Sequence, residues 1–365
     1  MKITRLYFID ALRAFAILMM LQGHFIDALL DPVYRDPNNM VFSIWSYFRG
    51  ITAPTFFTIS GLIFTYLLLR ARDKNEDKKR MKKGLSRGLM LIGIGYALRI
   101  PIFDWFALKF TTYVLVIDVL QIIGLSLIAL VFLYQLCFRK CLLFGIVCLI
   151  LGFIVFFTEP LYRDLWLEDM PQFIANYMTK ANGSIFTFLP WFGYMAFGAA
   201  IAVSFYRHLH RSRFKIAMIA TFAISGFVLV ECSAYFANKL YYLTDIQLFE
   251  DVAYYNYLFT RLGNVLLLFA LFYACERFLK QSLVSKIGQK TLSIYVIHFI
   301  IIYGSFTGYG LSQIIGKTLT PWEAIFGALA FLIVVTLIAL YRVKTNTFIY
   351  GKLKGLVKRM KPSTN

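Results

Sequence analysis

Apolar runs of about twenty residues recur along this chain, and they constrain its fold more than any other feature. A bilayer core about 30 Å thick is crossed by a helix of about twenty apolar residues. Within lipid, a helix pairs each backbone N–H and C=O inside the segment itself. Ten such spans are expected near residues 7–30, 50–70, 86–103, 113–135, 141–158, 185–205, 214–236, 256–275, 287–306 and 322–341. Composition points the same way. The chain is 59% hydrophobic and 16% charged, against about 25% charged in a soluble domain. The expected fold is an all-α integral membrane protein, a polytopic bundle of about ten transmembrane helices. A single transmembrane domain over residues 1–345 and a basic tail over 346–365 are expected.

A net charge of +19 would suggest a nucleic-acid partner in a soluble protein, but here the charge is sorted by loop. With the N-terminus placed inside, 27 Lys and Arg fall in inside segments and six in outside loops (Arg35, Lys109, Arg163, Lys180, Lys239 and Lys317). That asymmetry is the positive-inside bias, so both termini are expected to be cytoplasmic. The bilayer, not nucleic acid, is the expected partner. The basic run Arg70–Arg87 has two compatible readings, contact with anionic lipid or with the phosphates of a nucleotide-like donor. The outer stretch 159–184 contains LWLEDMPQFI and is expected to form a short interfacial helix. Cys137, Cys141, Cys148, Cys232 and Cys275 show no CxxC spacing and are expected as buried small hydrophobes, not metal ligands. No cleavable signal is expected, since the first apolar run is too long for one.

The stretch Arg5–Leu30, RLYFIDALRAFAILMMLQGHFIDALL, is long enough to span yet carries Asp10, Arg13, His24 and Asp27. Eleven residues of helix return to almost the same face, so Arg13 and His24 share a stripe, roughly 16 Å apart in depth. Asp27 follows His24 by three residues and can reach its ring, and Asp10 stands in the same relation to Arg13. Ionisable groups inside a membrane are costly unless they face a protein interior or wet cavity, so they mark a functional path. Later spans add more. Thr52, Thr55, Thr58 and Ser60, with Gly50 and Gly61, form a small-residue surface suited to close helix packing. Asp118 and Gln121 share a face. Arg49, Arg99, Asp118 and Arg261 all fall toward the outer leaflet, as the lining of a polar pocket or as interfacial anchors. His298 lies nearer mid-depth, either as a lining residue or as a satisfied packing residue.

These residues resemble the transmembrane acyltransferase superfamily, which includes the acyltransferase-3 proteins and the heparan-α-glucosaminide N-acetyltransferase-like proteins. The carriers are Ile9-Asp10-Ala11-Leu12-Arg13 with His24 in R-x10-H spacing, Phe56-Phe57-Thr58-Ile59-Ser60-Gly61 as an FFxxSG element, and Ser293-Ile294-Tyr295-Val296-Ile297-His298 as a late SxxYLxH-like element. FRGITAP, VLQIIGLSL and LPWFGYMAFGA are more similar to the heparan-acetyltransferase-like branch. Ala14 stands where the family usually has Gly, and the RxxR of acyltransferase-3 has only a loose echo in Lys82, Lys83 and Arg87. The resemblance implies acetyl-CoA or another acyl-CoA as donor substrate, without a metal, and a sugar hydroxyl or amine of a glycan or glycoconjugate as acceptor. It further implies a multi-pass protein of a bacterial inner or plasma membrane that modifies cell-envelope carbohydrate.

In that reading His24 is general base or transient acyl carrier, because imidazole suits proton transfer near neutrality. Asp27 orients it, and Arg13 holds an anionic or carbonyl group of the donor with its fixed fork of donors. Asp10, Arg49, Ser60, Arg99, Asp118, Gln121, Arg261 and His298 are the further substrate-binding candidates. A proton-coupled transporter or flippase of a small solute or lipid-linked sugar is the competing class, since ten spans with midplane polar residues suit that chemistry as well. An inverted repeat would favour it, and none is found. A scaffold without catalysis leaves Arg13 and His24 without a purpose.

Overall fold

The computed structural model describes residues 6–106, 108–280 and 282–360; Lys2, Arg5 and residues 361–365 of the expected basic tail lie outside the described residues. Ten helices of at least thirteen residues occur among them. In chain order they are α1 (Tyr7–Leu29), α2 (Met40–Arg72), α3 (Asp77–Ala97), α4 (Val119–Leu136), α5 (Cys141–Phe157), α6 (Phe188–His208), α7 (Phe214–Glu231), α8 (Tyr257–Ala274), α9 (Thr291–Tyr303) and α10 (Pro321–Met360). The chain is an all-α polytopic membrane protein. Seven segments, in α1, α2, α4, α6, α7, α8 and α10, are long and apolar enough to cross a bilayer by length and composition. α5 and α9 are apolar but shorter, and α3 opens on the charged run DKKRMKK. The expectation of ten spans thus meets a helix in every stretch, although three of these fall short on length or apolarity.

Local chemistry sets the ends of these helices. Asn39 caps α2 by accepting from the backbone N–H groups of Val41 and Phe42 at 3.0 and 3.2 Å. Asp118 caps α4, and Gln121 reaches back to accept from the Asp118 N–H, completing a capping box. Pro54 removes one N–H from inside α2, yet the helix runs on from Met40 to Arg72. Next to it, the hydroxyls of Thr55 and Thr58 each donate at 2.8 Å to the carbonyl four residues back, so these buried polar groups stay paired in an apolar surround. The expected span at 214–236 is shorter in the structure. α7 stops at Glu231, and two amphipathic helices, Ser233–Thr244 and Gln247–Tyr254, fill what was expected to be mostly loop. The 159–184 loop holds two short helices, Glu159–Tyr162 and Gln172–Met178, and of the stretch LWLEDMPQFI only its last three residues, 172–174, are helical.

α2 is the spine of the bundle. It packs along α6 so closely that a Cβ on Gly61 would meet the Met195 carbonyl, and one on Gly198 would meet the carbonyl of Thr58. This is the small-residue contact expected of that surface. α1 packs against α2, α9 and α10. Outward, α5, α7 and α10 present apolar side chains such as Ile146, Ile150, Ile224, Phe227, Ile333 and Leu337. In water such a surface would be a liability; a bilayer covers it.

Candidate active site

α1 places Arg13, His24 and Asp27 along one continuous helix, so the three are fixed relative to one another by backbone geometry alone. From Arg13 to Asp27 is fourteen residues, or about 21 Å. A cavity of about 540 Å³ follows that whole length, within the usual size of a small-molecule site. At one end its wall carries four cations, Arg13, Arg80, Lys83 and Arg87; at the other it carries Asp27, Arg49, Asp118 and Arg261. Between the two rims the wall is largely apolar, with Ile17, Met20, Phe56, Ile63 and Leu127, and His24 and Ser60 interrupt it. α2 supplies its facing stripe at positions 49, 52, 53, 56, 60 and 63, the three-and-four spacing of one helical face. A second cavity of about 450 Å³, between the starts of α2 and α8, shares Gly50 and Arg261 with the first.

The Arg13 guanidinium Nη2 donates to Thr291 Oγ1 at 2.8 Å, which ties the first turn of α9 to α1. His24 Nδ1 lies 2.8 Å from the hydroxyl of Tyr303, at the other end of α9. Asp27 is bound by Arg49 of α2 in an ion pair, and Arg35 donates to the Asp27 carbonyl at 3.0 Å. The residue on the His24 ring is therefore a tyrosine 279 positions away, where the sequence suggested Asp27. Arg49 also lies over the Trp45 ring, 5.7 Å from its centre.

The other candidates divide between the cavity wall, which Asp118 and Arg261 reach, and positions behind it. Arg99 is buried and donates to Asp118 Oδ2 at 2.8 Å; it also lies over the rings of Tyr113 and Phe299, at 4.9 and 5.6 Å. Of that pair only Asp118 reaches the cavity. Gln121 serves the capping box behind it. Asp10 is on α1, one turn before Arg13, with its backbone against Gly288, outside the cavity lining. His298 is fully buried; its ring centre is 5.2 Å from that of His24 and 4.9 Å from that of Tyr295. Neither of its nitrogens has a hydrogen-bond partner among the described residues. Arg261 lies 5.2 Å from the centre of the Tyr257 ring, and no carboxylate among the described residues forms an ion pair with it.

Sequence reasoning missed Tyr303, Thr291 and Trp191. Tyr303 follows His298 at five residues in an apolar run and has no charge to mark it, and Thr291 reads as an ordinary helix start. Trp191, in LPWFG, lines the cavity beside Phe186; its signal was present in that motif, but not its place. No group of three or more His, Cys, Asp or Glu able to hold a metal ion occurs among the described residues.

The arrangement places a hydrogen-bonded imidazole in the cavity wall about one turn from the mixed-charge rim and roughly 16 Å from Arg13 at the cationic one, and an imidazole in such a place can take and return a proton. No curated protein matches the chain. A family model described as heparan-alpha-glucosaminide N-acetyltransferase, catalytic, matches residues 5–232, which takes in α1 to α7 and hence Arg13, His24, Asp27 and the cationic rim. The chain belongs to that family and is an acetyltransferase-like membrane enzyme.

Proposed function

We propose that the protein transfers an acyl group, acetyl in the simplest case, from acyl-CoA to a hydroxyl or amine of a glycan. The observation that carries this reading is the single cavity joining four cations at one rim to His24 and then to a second polar rim. Phosphates of the donor suit the cationic rim, because Arg offers paired N–H groups and Lys a compact charge. From there the pantetheine arm would run along Ile17, Met20 and Ile63, and its thioester would reach the level of His24. Arg13 stands at the entrance to that apolar stretch, already held by Thr291. The acceptor would come from the opposite rim, where Asp27 and Arg49 offer hydrogen-bonding groups and Arg261 a guanidinium that pairs with no carboxylate among the described residues.

The reaction then needs one base. His24 takes the proton of the acceptor O–H or N–H as the acceptor atom bonds to the acyl carbon. The C–S bond breaks, and the sulfur leaves with the proton returned from the imidazolium, giving free CoA thiol and the acylated sugar. The apolar wall keeps water from competing for the thioester.

The test is purified protein in detergent, incubated with acetyl-CoA and longer acyl-CoA donors, with and without a panel of glycans. Free thiol is followed together with label on the glycan. Acceptor-dependent thiol release supports the reading. Movement of a solute or lipid-linked sugar across sealed vesicles, with no thiol released for any acceptor, overturns it in favour of transport.

A further inference from the structure

We propose that Tyr303 is the positioning residue for His24: its hydroxyl holds Nδ1 and leaves the other ring nitrogen free for the substrate. The inference rests on the reading of His24 as base. It adds a residue from α9, a helix beyond the matched stretch 5–232.

A neutral imidazole carries its hydrogen on one nitrogen and a lone pair on the other, and the partner of the first decides which is which. A base facing the cavity needs the lone pair on the cavity nitrogen, hence a hydrogen on Nδ1 and an acceptor for it. Around His24 the choice of acceptor is narrow. Asp27 is taken by Arg49, and His298 packs by its ring with neither nitrogen bonded to a described residue. Tyr303 stands at hydrogen-bonding distance, 2.8 Å. The two rings meet nearly at right angles, 89°, with centres 6.0 Å apart, so the contact is made by the hydroxyl and not by stacking. A neutral acceptor also suits the depth. A buried carboxylate would carry a desolvation cost that a phenol does not.

Tyr303 is itself held firmly. Its ring packs on Phe299 with centres 4.8 Å apart. Directly after it Gly304 ends α9 in the left-handed region, φ 66°, where a Cβ would come within 2.6 Å of the Tyr309 nitrogen. The turn is then closed by Ser312, which donates to the Ile302 carbonyl at 2.8 Å. The Tyr303 side chain is thus packed on Phe299 and its backbone set by the turn that follows, at the place where its hydroxyl meets the His24 ring.

The experiment is a double-mutant cycle on the full chain in detergent: Tyr303→Phe, His24→Ala and both together, with kcat, KM for acetyl-CoA and thermal midpoint measured for each. Tyr303→Phe keeps the Phe299 packing and removes only the hydroxyl. Expected are a kcat lowered by about tenfold or more, KM within about twofold, and no further loss when the change is added to His24→Ala, since residues acting as one unit are not additive. Unchanged kcat in Tyr303→Phe, with His24→Ala strongly impaired, overturns the positioning role and leaves the base reading intact. An equal loss in both backgrounds overturns it too, because Tyr303 then acts independently of His24. Near-normal turnover in His24→Ala removes the base reading and this inference with it. If Tyr303→Phe lowers the thermal midpoint, Phe299→Leu disturbs the same packing without touching the hydroxyl; a matching loss of kcat there overturns the proposal.

Discussion

The division of labour between His24 and Arg13 can be resolved by single substitutions, because the two sit at different levels of one cavity. His24→Ala removes the base but none of the cations at the far rim. Turnover should fall by about 10²-fold or more while acyl-CoA binding, followed by isothermal titration, stays close to that of the parent protein. Arg13→Ala should do the reverse and weaken donor binding first. Arg13→Lys should not restore it, because one ammonium cannot both keep the Thr291 hydrogen bond and present a planar fork to the donor. Asp27→Asn should be milder than His24→Ala, since Asp27 is bonded to Arg49 and not to the imidazole. A larger effect from Asp27→Asn than from His24→Ala would move the role of base from His24 to Asp27.

At the scale of elements, the link between α3 and α4 is a buried charge pair. Arg99 follows the end of α3, and Asp118 caps α4 while accepting from Arg99. Removing one partner of a buried pair leaves an uncompensated charge, at a cost of about 3–5 kcal/mol. Arg99→Ala should therefore lower the thermal midpoint sharply, and Arg99→Ala with Asp118→Asn should recover part of the loss, since no carboxylate is then stranded. A double variant no better than Arg99→Ala alone would show that Arg99 acts through its packing on Tyr113 and Phe299 instead. The same pair illustrates what the sequence could reveal. Arg13 and His24 were legible because helical period alone puts them on one stripe, and the need for Gly61 in close packing was legible from its small neighbours. Arg99 with Asp118, or Tyr303 with His24, are meetings of separate helices, and no local period encodes which helices meet. Asp27 misled for a related reason: three-residue spacing shows that two side chains can touch, not that a stronger partner such as Arg49 waits across the groove. The helices at Ser233–Thr244 and Gln247–Tyr254 were hidden because they are short and amphipathic, too polar to read as spans.

On the scale of the whole molecule, the cavity separates a cationic rim from a mixed-charge rim, and that polarity makes two claims that one preparation can test. The first concerns sidedness. Cysteines placed at Lys78, near the cationic rim, and at Lys239, in the helix Ser233–Thr244, should be labelled from opposite faces of sealed vesicles by a membrane-impermeant reagent; labelling from the same face would break the expected alternation of loops. The second concerns the ligand. A donor that binds only the folded protein stabilises it by RT ln(1 + [L]/Kd), about 2.7 kcal/mol at a hundredfold excess over Kd. Acetyl-CoA should therefore raise the thermal midpoint of the detergent-solubilised protein, and CoA should do so as well, because both carry the phosphates that the cations address. The rise should shrink with salt, since exposed charges are screened. Replacing Arg80, Lys83 and Arg87 together by Gln should abolish most of it without touching His24. A midpoint that rises equally in parent and triple variant would place donor recognition elsewhere than at that rim, and the passage would then have to be read from its other end.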